Sequence, residues 1–305
     1  MSKSLLSIND LSVKSIEDIF ALAEQGKKHP EQLEGSLRGK MFGLIFEKPS
    51  TRTWVSFDAG LFSMGAGTIY LGPQDIKLGA REEIKDVARV LERYLAGVVL
   101  RTFSHKTIVE FRQYFSKPII NGLSDWEHPC QALGDYFTML SKFRSTKRKP
   151  VLTFIGDGNN VLNSLILLAA KLGMPLNYAT PKKHSPPASI CRDAKQVAKR
   201  TGARIEAFED PKDAVRDADF VYTDVWVSMG QEKDSAKKSK AFETYQINPK
   251  LLARCRRQPF VMHCLPAHRG EEITDGVIES KKSIVFEQAE NRLHIQKAIL
   301  LHLCS

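Results

Sequence analysis

Cysteine is scarce in this sequence, and its spacing gives no sign of pairing. Five cysteines occur among 305 residues. None forms a CxxC pair, and an odd number cannot be fully paired within one chain. No stretch approaches the ~20 apolar residues of a membrane span, and the first residues carry no hydrophobic region of the secretory type. We therefore expect free thiols, a reducing cytoplasmic compartment and no membrane partner.

Concentrated positive charge is also missing, although the chain is basic. Lys and Arg total 45 against 35 Asp and Glu, which gives a formal net charge of +10. The basic residues are spread along the chain, apart from short runs at 147–149 and 237–240. There is no zinc-finger spacing and no basic region before a heptad repeat, so an anionic substrate or a solvated surface is favoured over nucleic acid.

Internal repeats and low-complexity tracts are absent, and apolar segments of strand length alternate with amphipathic segments. This alternation predicts an α/β fold with two doubly wound parallel-sheet domains and an interdomain active site. The polar run 144–150 marks the boundary between a first domain, 1–146, and a second domain, 147–288. A closing helix, 289–305, is expected to pack back on the first domain. The predicted strands are 41–46, 67–71, 97–100, 118–121, 151–155, 176–179, 220–225, 260–263 and 284–286.

The polar stretch Ser50-Thr51-Arg52-Thr53 lies between a predicted strand and a predicted helix. Ser50 or Thr51 suits the N-cap of that helix. The first N–H groups of a helix lack internal partners and lie at the positive end of its dipole. Together with the hydroxyls and one guanidinium, these N–H groups would form a socket for a phosphate-like dianion. By themselves, the four residues fit an ordinary capped helix with a surface arginine better.

Three more polar residues follow predicted strands of the first domain. Arg101 ends a buried-looking strand, so its charge must be paired or face a ligand; Glu92 is the alternative partner. His128 lies at a strand-to-helix turn, where Pro129 suits the first helical position. His128 and Gln131 are three residues apart and can face one ligand, although a capping or core histidine is the commoner role.

The second half of the chain shows the same pattern. The turn 156–160 lacks the third glycine of a dinucleotide fingerprint, so a strand-to-helix turn capped by Asn is the alternative. Asp224, at a strand end, could hold a cationic amine before a mobile polar lid, or lie in a surface loop. Cys264 ends another strand, where it could be either a reactive group or an inert buried thiol. No further Cys or His has ligand spacing for zinc, and Leu265-Pro266 is a candidate cis bond.

These polar residues share one position in the predicted fold. Ligands of open α/β sheets bind beyond the carboxyl ends of the strands, and each of these residues lies at the end of a predicted strand or in the turn that follows one. We therefore expect them to form one active site. They are Arg52, Arg101, His128, Asn160, Asp224 and Cys264.

Five motifs, taken in order, resemble those of the aspartate/ornithine carbamoyltransferase family over essentially the whole chain. The last two are similar to those of the family members that use ornithine. The motifs are Ser50-Thr51-Arg52-Thr53, Arg101-Thr102, His128-Pro129-Cys130-Gln131, Asp224 with Ser228-Met229-Gly230, and His263-Cys264-Leu265-Pro266.

The resemblance implies transfer of a carbamoyl group from carbamoyl phosphate to the δ-amine of L-ornithine, giving L-citrulline for arginine biosynthesis. It implies a homotrimer without cofactor or metal. Cys264, Arg101 and His128 would be catalytic. The implied ornithine-binding residues are Asn160, Asp224, Ser228 and Met229. The implied carbamoyl phosphate-binding residues are Ser50, Thr51, Arg52, Thr53, Arg101, His128, Gln131, Cys264, Leu265 and Arg292.

One residue departs from the family pattern, because Trp54 stands where an arginine usually follows the first motif. We expect the site to work, since its direct ligands are all present.

Other acceptors remain open at this point. Putrescine lacks the carboxylate that Asn160 could contact, N-acetylornithine needs a larger pocket, and aspartate does not suit Asp224. A non-catalytic basic module that binds polyanions is the remaining alternative.

Overall fold

A computed structural model describes residues 4–143, 148–227 and 235–304. The chain forms two compact units. Unit 1 contains Met1–Phe137 and Glu290–Ser305, and unit 2 contains Thr138–Ala289. Residues 144–147 of the predicted boundary lie outside the described part, and the predicted limits 1–146, 147–288 and 289–305 stay a prediction.

Unit 1 is built on a four-stranded parallel sheet with the strand order β2-β1-β3-β4. Its strands are β1 (Met41–Phe46), β2 (Gly67–Leu71), β3 (Gly97–Arg101) and β4 (Ile119–Leu123). The helices that begin in this unit before residue 138 are α1 (Val13–Lys28), α2 (Thr51–Ser63), α3 (Ile84–Tyr94), α4 (His105–Gln113) and α5 (Pro129–Lys142).

The register of β1 and β3 fixes the edge of this sheet that carries the polar residues. All five residues of β3 are buried, as its apolar sequence predicts for a central parallel strand. Phe46 pairs with Arg101 at the carboxyl ends of the two strands. The chain leaves β1 there and enters α2 after four residues. The start of α2 and the side chain of Arg101 therefore lie at the same edge.

Unit 2 is built on a five-stranded parallel sheet with the order β7-β6-β5-β8-β9. Thr223 pairs with His263, so the next residues of β8 and β9 come side by side at the carboxyl edge. The strands are β5 (Leu152–Ile155), β6 (Leu176–Ala179), β7 (Ile205–Phe208), β8 (Phe220–Thr223) and β9 (Phe260–His263). The helices are α6 (Asn160–Leu172), α7 (Ala188–Thr201), α8 (Pro211–Ala214), α9 (Ser235–Phe242), α10 (Pro249–Leu252) and α11 (Asp275–Ile278).

The last helix, α12 (Val285–Cys304), corrects one predicted element. The strand expected at 284–286 is wrong, because this apolar run opens the helix, and only Ser283 bridges to β9, at Val261. From Glu290 onward α12 belongs to unit 1, which confirms that the closing helix packs on the first domain. Within the described ranges, no helix combines the length and apolar character needed to cross a membrane.

One strand was not predicted from the sequence. β7 lies at the edge of its sheet and has four residues, none of them buried. Its sequence, Ile-Glu-Ala-Phe, has too few residues to show a convincing alternation. The two-domain parallel α/β architecture is otherwise confirmed.

Candidate active site

The predicted helix cap lies at Ser50, directly before α2. Ser50 has an extended backbone, and its Oγ accepts a hydrogen bond from the backbone N–H of Thr53 at 3.4 Å. The same hydroxyl lies 3.1 Å from Thr53 Oγ1. Thr51 and Arg52 are exposed in the first turn of α2. The positive end of a thirteen-residue helix is thus surrounded by three hydroxyls and a guanidinium, which suits a dianion.

Two further arginines belong to this edge of unit 1. Arg101 is only 6% exposed, and its Nε donates to the carbonyl oxygen of Lys48 at 3.1 Å. Arg292, on α12, donates from Nη2 to Thr53 Oγ1 at 2.9 Å. The structure therefore brings Arg101, Arg292 and the cap of α2 together from three separate parts of the chain.

Glu92 is not the partner of Arg101. Its carboxylate accepts a hydrogen bond from the backbone N–H of Ser116 at 2.8 Å and another from the hydroxyl of that residue. Lys117, just before β4, binds the carbonyl oxygens of Glu92 and of Leu95, just before β3. Glu92 therefore lies at the amino ends of the strands, and Arg101 lies at their carboxyl ends.

His128 immediately precedes α5, whose first residue is Pro129, as predicted. The side chain is buried, and this burial lowers the pKa of His128 well below its ordinary value. The positive charges of Arg292 and Arg101 lower that pKa further. The imidazole is consequently neutral at physiological pH, so it can donate one hydrogen bond without adding charge.

Cys130, inside the same motif, takes a packing role. It is fully buried, and its Sγ donates to the carbonyl oxygen of Asn121 at 3.5 Å. Burial raises the pKa of this thiol to about 12. A thiol of that pKa is protonated at neutral pH and is a poor nucleophile.

In unit 2, Asp224 is the centre of a hydrogen-bonded cluster. Its Oδ1 accepts from the Cys264 thiol at 2.9 Å and from the Val225 N–H at 2.8 Å. Its Oδ2 accepts from Asn159 Nδ2 at 2.6 Å. Asp224 and Cys264 follow paired strands, and this register explains their proximity. The cluster offers a buried carboxylate beside a half-buried thiol.

The turn 156–160 positions Asn159 against Asp224. Asn159 caps α6, since its Oδ1 accepts from the backbone N–H groups of Val161 and Leu162. Gly158 must lack a side chain, because a Cβ there would lie 2.4 Å from the carbonyl oxygen of His184. The structure favours the strand-to-helix turn capped by Asn, with Asn160 as the first residue of α6.

The His-Cys-Leu-Pro motif is held by a buried hydrogen bond between a histidine and a glutamate. His263 Nε2 lies 3.0 Å from Glu272 Oε1, and both side chains are fully buried. His263 Nδ1 accepts the backbone N–H of Leu265 at 2.9 Å, so the proton is on Nε2. Leu265 has a positive φ of 58°, and the Leu265–Pro266 bond is cis, as predicted. The histidine thus supports the turn that carries Cys264.

The ligand atoms of Asp224, His263 and Cys264 lie within 4.8 Å of one another, which is close enough to hold a metal ion. Their hydrogen bonds argue against that use. Both imidazole nitrogens of His263 are engaged, and the thiol donates to Asp224. A metal ion would have to displace the bond at one imidazole nitrogen and the bond between the thiol and Asp224, so the cluster fits an amine better than a metal.

Several of these residues were not predicted as functional. Asn159 was considered only as a cap, and Asp135 and Glu272 were not considered at all. Asp135 is four residues after Gln131 on α5, a spacing that places two side chains on one helix face. An acidic residue four positions after Gln131 on a predicted helix was the sequence signal that could have identified Asp135. Predicted Ser228 and Met229 lie outside the described residues.

Comparison with known proteins agrees with this geometry. Residues 3–141 match the carbamoyl-P binding domain of aspartate/ornithine carbamoyltransferase, and residues 149–303 match its Asp/Orn binding domain. The chain belongs to the aspartate/ornithine carbamoyltransferase family. The predicted family and the predicted class of enzyme are thereby confirmed.

Individual family members are similar to this chain over its full length. The ornithine carbamoyltransferase of Archaeoglobus fulgidus is 48% identical, over 99% of this chain and 97% of that protein. The structure of ornithine carbamoyltransferase from Pyrococcus furiosus superposes with a TM-score of 0.94 at 43% identity, covering 98% of this chain and 96% of that one. The anabolic ornithine carbamoyltransferase of Campylobacter jejuni has a TM-score of 0.94 at 36% identity, covering 99% and 98%.

Trp54, in place of the usual arginine of the carbamoyltransferase family, has a packing partner in this chain. Its indole stacks on Tyr70, with ring centroids 4.5 Å apart and an interplanar angle of 25°. Tyr70 meets Phe46 edge to face at 5.5 Å. The three rings connect the first turn of α2 to the carboxyl ends of β1 and β2.

We expect Trp54→Arg to change the KM for carbamoyl phosphate by less than about threefold, because Ser50 to Thr53 are left unchanged. The loss of stacking on Tyr70 should lower the free energy of unfolding by about 0.5–1.5 kcal/mol. Steady-state kinetics and denaturant unfolding test both effects, with Trp54→Phe as the control that keeps a ring on Tyr70. A gain in affinity above tenfold in the arginine variant would show that Trp54 weakens the socket.

Proposed function

We propose that this chain transfers the carbamoyl group of carbamoyl phosphate to the δ-amine of L-ornithine, giving L-citrulline and phosphate. The main support is the 2.9 Å contact between the Cys264 thiol and the Asp224 carboxylate. This pair offers a proton acceptor and a negative charge to an amine. The family match and the dianion socket of unit 1 support the carbamoyl donor.

Carbamoyl phosphate binding is proposed for the edge of unit 1 described above. The hydroxyls of Ser50, Thr51 and Thr53 and the guanidiniums of Arg52, Arg101 and Arg292 would hold the phosphate, with charge-assisted hydrogen bonds. His128 and Gln131 would contact the carbamoyl group. Cys264 and Leu265 are proposed contacts from the second domain. We also propose that the first domain is 1–146 with helix 289–305, and that 147–288 binds ornithine.

The proposed reaction forms a C–N bond and breaks the C–O bond to phosphate. As the amine attacks, negative charge develops on the carbonyl oxygen, and Thr53, Arg101 and His128 would stabilise it. A neutral His128 donates without repelling the neighbouring arginines, which its lowered pKa supports. The amine proton leaves during the reaction, and the Asp224–Cys264 pair is suited to receive it.

The amine must be neutral to attack, and this requirement predicts the pH dependence. An alkylamine with a pKa of about 10.4 is neutral in roughly one molecule in 2,500 at pH 7, a cost of about 4.6 kcal/mol. We expect kcat/KM for ornithine to rise by up to about tenfold per unit between pH 6 and 9. His128 should add no break there, because its lowered pKa keeps it neutral throughout.

Initial rates from pH 6 to 9, with carbamoyl phosphate saturating at each pH, measure this profile. The KM for carbamoyl phosphate over the same range is the control that separates donor binding from amine ionisation. A flat kcat/KM for ornithine would contradict the proposal that the amine must be deprotonated.

A homotrimer in a reducing cytoplasmic compartment, acting in arginine biosynthesis, completes the proposal. The family resemblance supports the trimer, and light scattering would test it by a mass three times that of the chain. All five cysteines are free, which supports a reducing compartment. The Ser228-Met229-Gly230 lid stays a prediction.

The experiment that tests the acceptor is a parallel assay of ureido product from carbamoyl phosphate with four amines: ornithine, putrescine, N-acetylornithine and aspartate. Strong product with ornithine alone would support the proposal. Product with a different amine would keep the donor site and overturn the acceptor. No product with any of them would favour the non-catalytic, polyanion-binding alternative, which a salt-sensitive mobility shift with nucleic acid would then test.

A further inference from the structure

Asp135 and Gln131 form a buried hydrogen bond inside unit 1, one helical turn apart on α5. Gln131 Nε2 donates to Asp135 Oδ1 at 2.7 Å. Gln131 is 1% exposed, and Asp135 is not exposed at all. Because residues four apart lie on the same face of a helix, the helix itself brings these two side chains together.

This contact determines which end of the Gln131 amide is left for another partner. A carboxylate only accepts hydrogen bonds, so the NH2 end of the amide must face Asp135. The opposite end, Oε1, is buried and accepts no hydrogen bond within the described part of the chain. A buried carbonyl oxygen without a donor is costly, so a ligand N–H that reaches it gains affinity.

We propose that Asp135 is a positioning residue that makes the site selective for an acyl phosphate whose acyl group carries an NH2. This inference rests on the proposed function, in which Gln131 contacts the carbamoyl group. A carbamoyl group and an acetyl group have nearly the same shape, and they differ in NH2 against CH3. With its own NH2 held by Asp135, Gln131 offers an acceptor that only the carbamoyl group can satisfy.

The opposite orientation of Gln131 would reverse this selectivity. It would place the NH2 of Gln131 against the NH2 of the substrate, two donors with no acceptor between them. Asp135 excludes that orientation, because a carbonyl oxygen facing a carboxylate would leave two acceptors in contact. The phosphate end of the ligand is held by other residues, so Asp135 should affect selectivity without changing anion affinity.

The test uses Asp135→Asn and three stable ligands: phosphonoacetamide, 2-oxopropylphosphonate and inorganic phosphate. The two phosphonates differ only in NH2 against CH3. Asn both donates and accepts, so Gln131 can take either orientation in the variant. Calorimetry should give a preference for phosphonoacetamide of about tenfold in the unmodified protein, or about 1.4 kcal/mol. In Asp135→Asn this preference should fall to about twofold, and the affinity for phosphate should stay unchanged.

Asp86→Asn is the matched control, because it makes the same chemical change at an exposed position on α3 and should keep the full preference. Asp135→Glu, which only accepts, should also keep it. Asp135→Ser, which both donates and accepts, replaces the Asn variant if that variant does not fold.

Three results would overturn the inference. The first is the absence of an amide preference in the unmodified protein, and the second is the full preference in Asp135→Asn. The third is an equal loss of affinity for all three ligands in that variant, which would indicate a purely structural role. The proposed function can fail without the inference failing. An amide preference that disappears in the variant supports the inference even if the unmodified protein makes no citrulline.

Discussion

Replacing Arg52 by Ala should raise the KM for carbamoyl phosphate by about 100- to 1,000-fold and leave the fold intact. Arg52 is exposed in the first turn of α2, so its removal creates no cavity. A hydrogen bond to a charged group contributes about 1.5–3 kcal/mol, and a guanidinium can make two of them to one phosphate. Steady-state kinetics and phosphate binding by calorimetry measure the loss.

Arg89→Ala is the matched control for this variant. Arg89 is also exposed on a helix of unit 1, in the middle of α3, where it pairs with Asp86 at 3.5 Å, and its replacement should leave the KM unchanged. Arg52→Lys keeps the charge but loses the two-pronged contact, so it should lie between the two alanine variants. A folded Arg52→Ala protein with normal affinity would mean that the dianion socket is misplaced.

Replacing Asp224 by Asn should lower kcat/KM for ornithine by about 100- to 1,000-fold. The carboxylate accepts from Asn159 on one oxygen and from Val225 and Cys264 on the other. An Asn side chain must turn its NH2 toward one of these donors, and it carries no charge for an amine. Losing one buried charged contact and one hydrogen bond costs about 2.7–4.1 kcal/mol together, consistent with that range.

Cys264→Ser is the companion variant, because it keeps a donor to Asp224 and replaces only the sulfur. It should impair ornithine use more than phosphate binding. Inhibition by inorganic phosphate, measured in both variants, is the control and should change by less than about threefold. Normal ornithine kinetics in either protein would reduce the Asp224–Cys264 pair to a packing contact.

The sequence was sufficient to predict the strands and the polar residues at their ends. It was not sufficient to predict which strands are neighbours in a sheet. Asp224 and Cys264 were each expected at the end of a strand. Their contact depends on the pairing of β8 with β9, which is a property of the whole sheet. Local periodicity carries no information about strand order, so proximity within one sheet had to come from the structure or from the family resemblance.

Long-range contacts show the same limit more strongly. Arg292 and Thr53 are separated by 239 positions, and no local pattern connects them. Only the family resemblance pointed to Arg292. Glu272 was missed because an acidic residue in a charged loop usually lies at the surface. Its burial against His263 depends on how the turn after β9 folds back.

The contact between Arg292 and Thr53 also constrains the order of folding. Unit 2 is contiguous in sequence, whereas unit 1 consists of two segments separated by that unit. Joining the two segments closes a very long loop, and the entropy of closure grows with the length of flexible chain. Folding of unit 2 shortens that flexible length, so the contiguous unit should fold first. The dianion socket would then be among the last parts of the protein to form, since its final arginine arrives with α12.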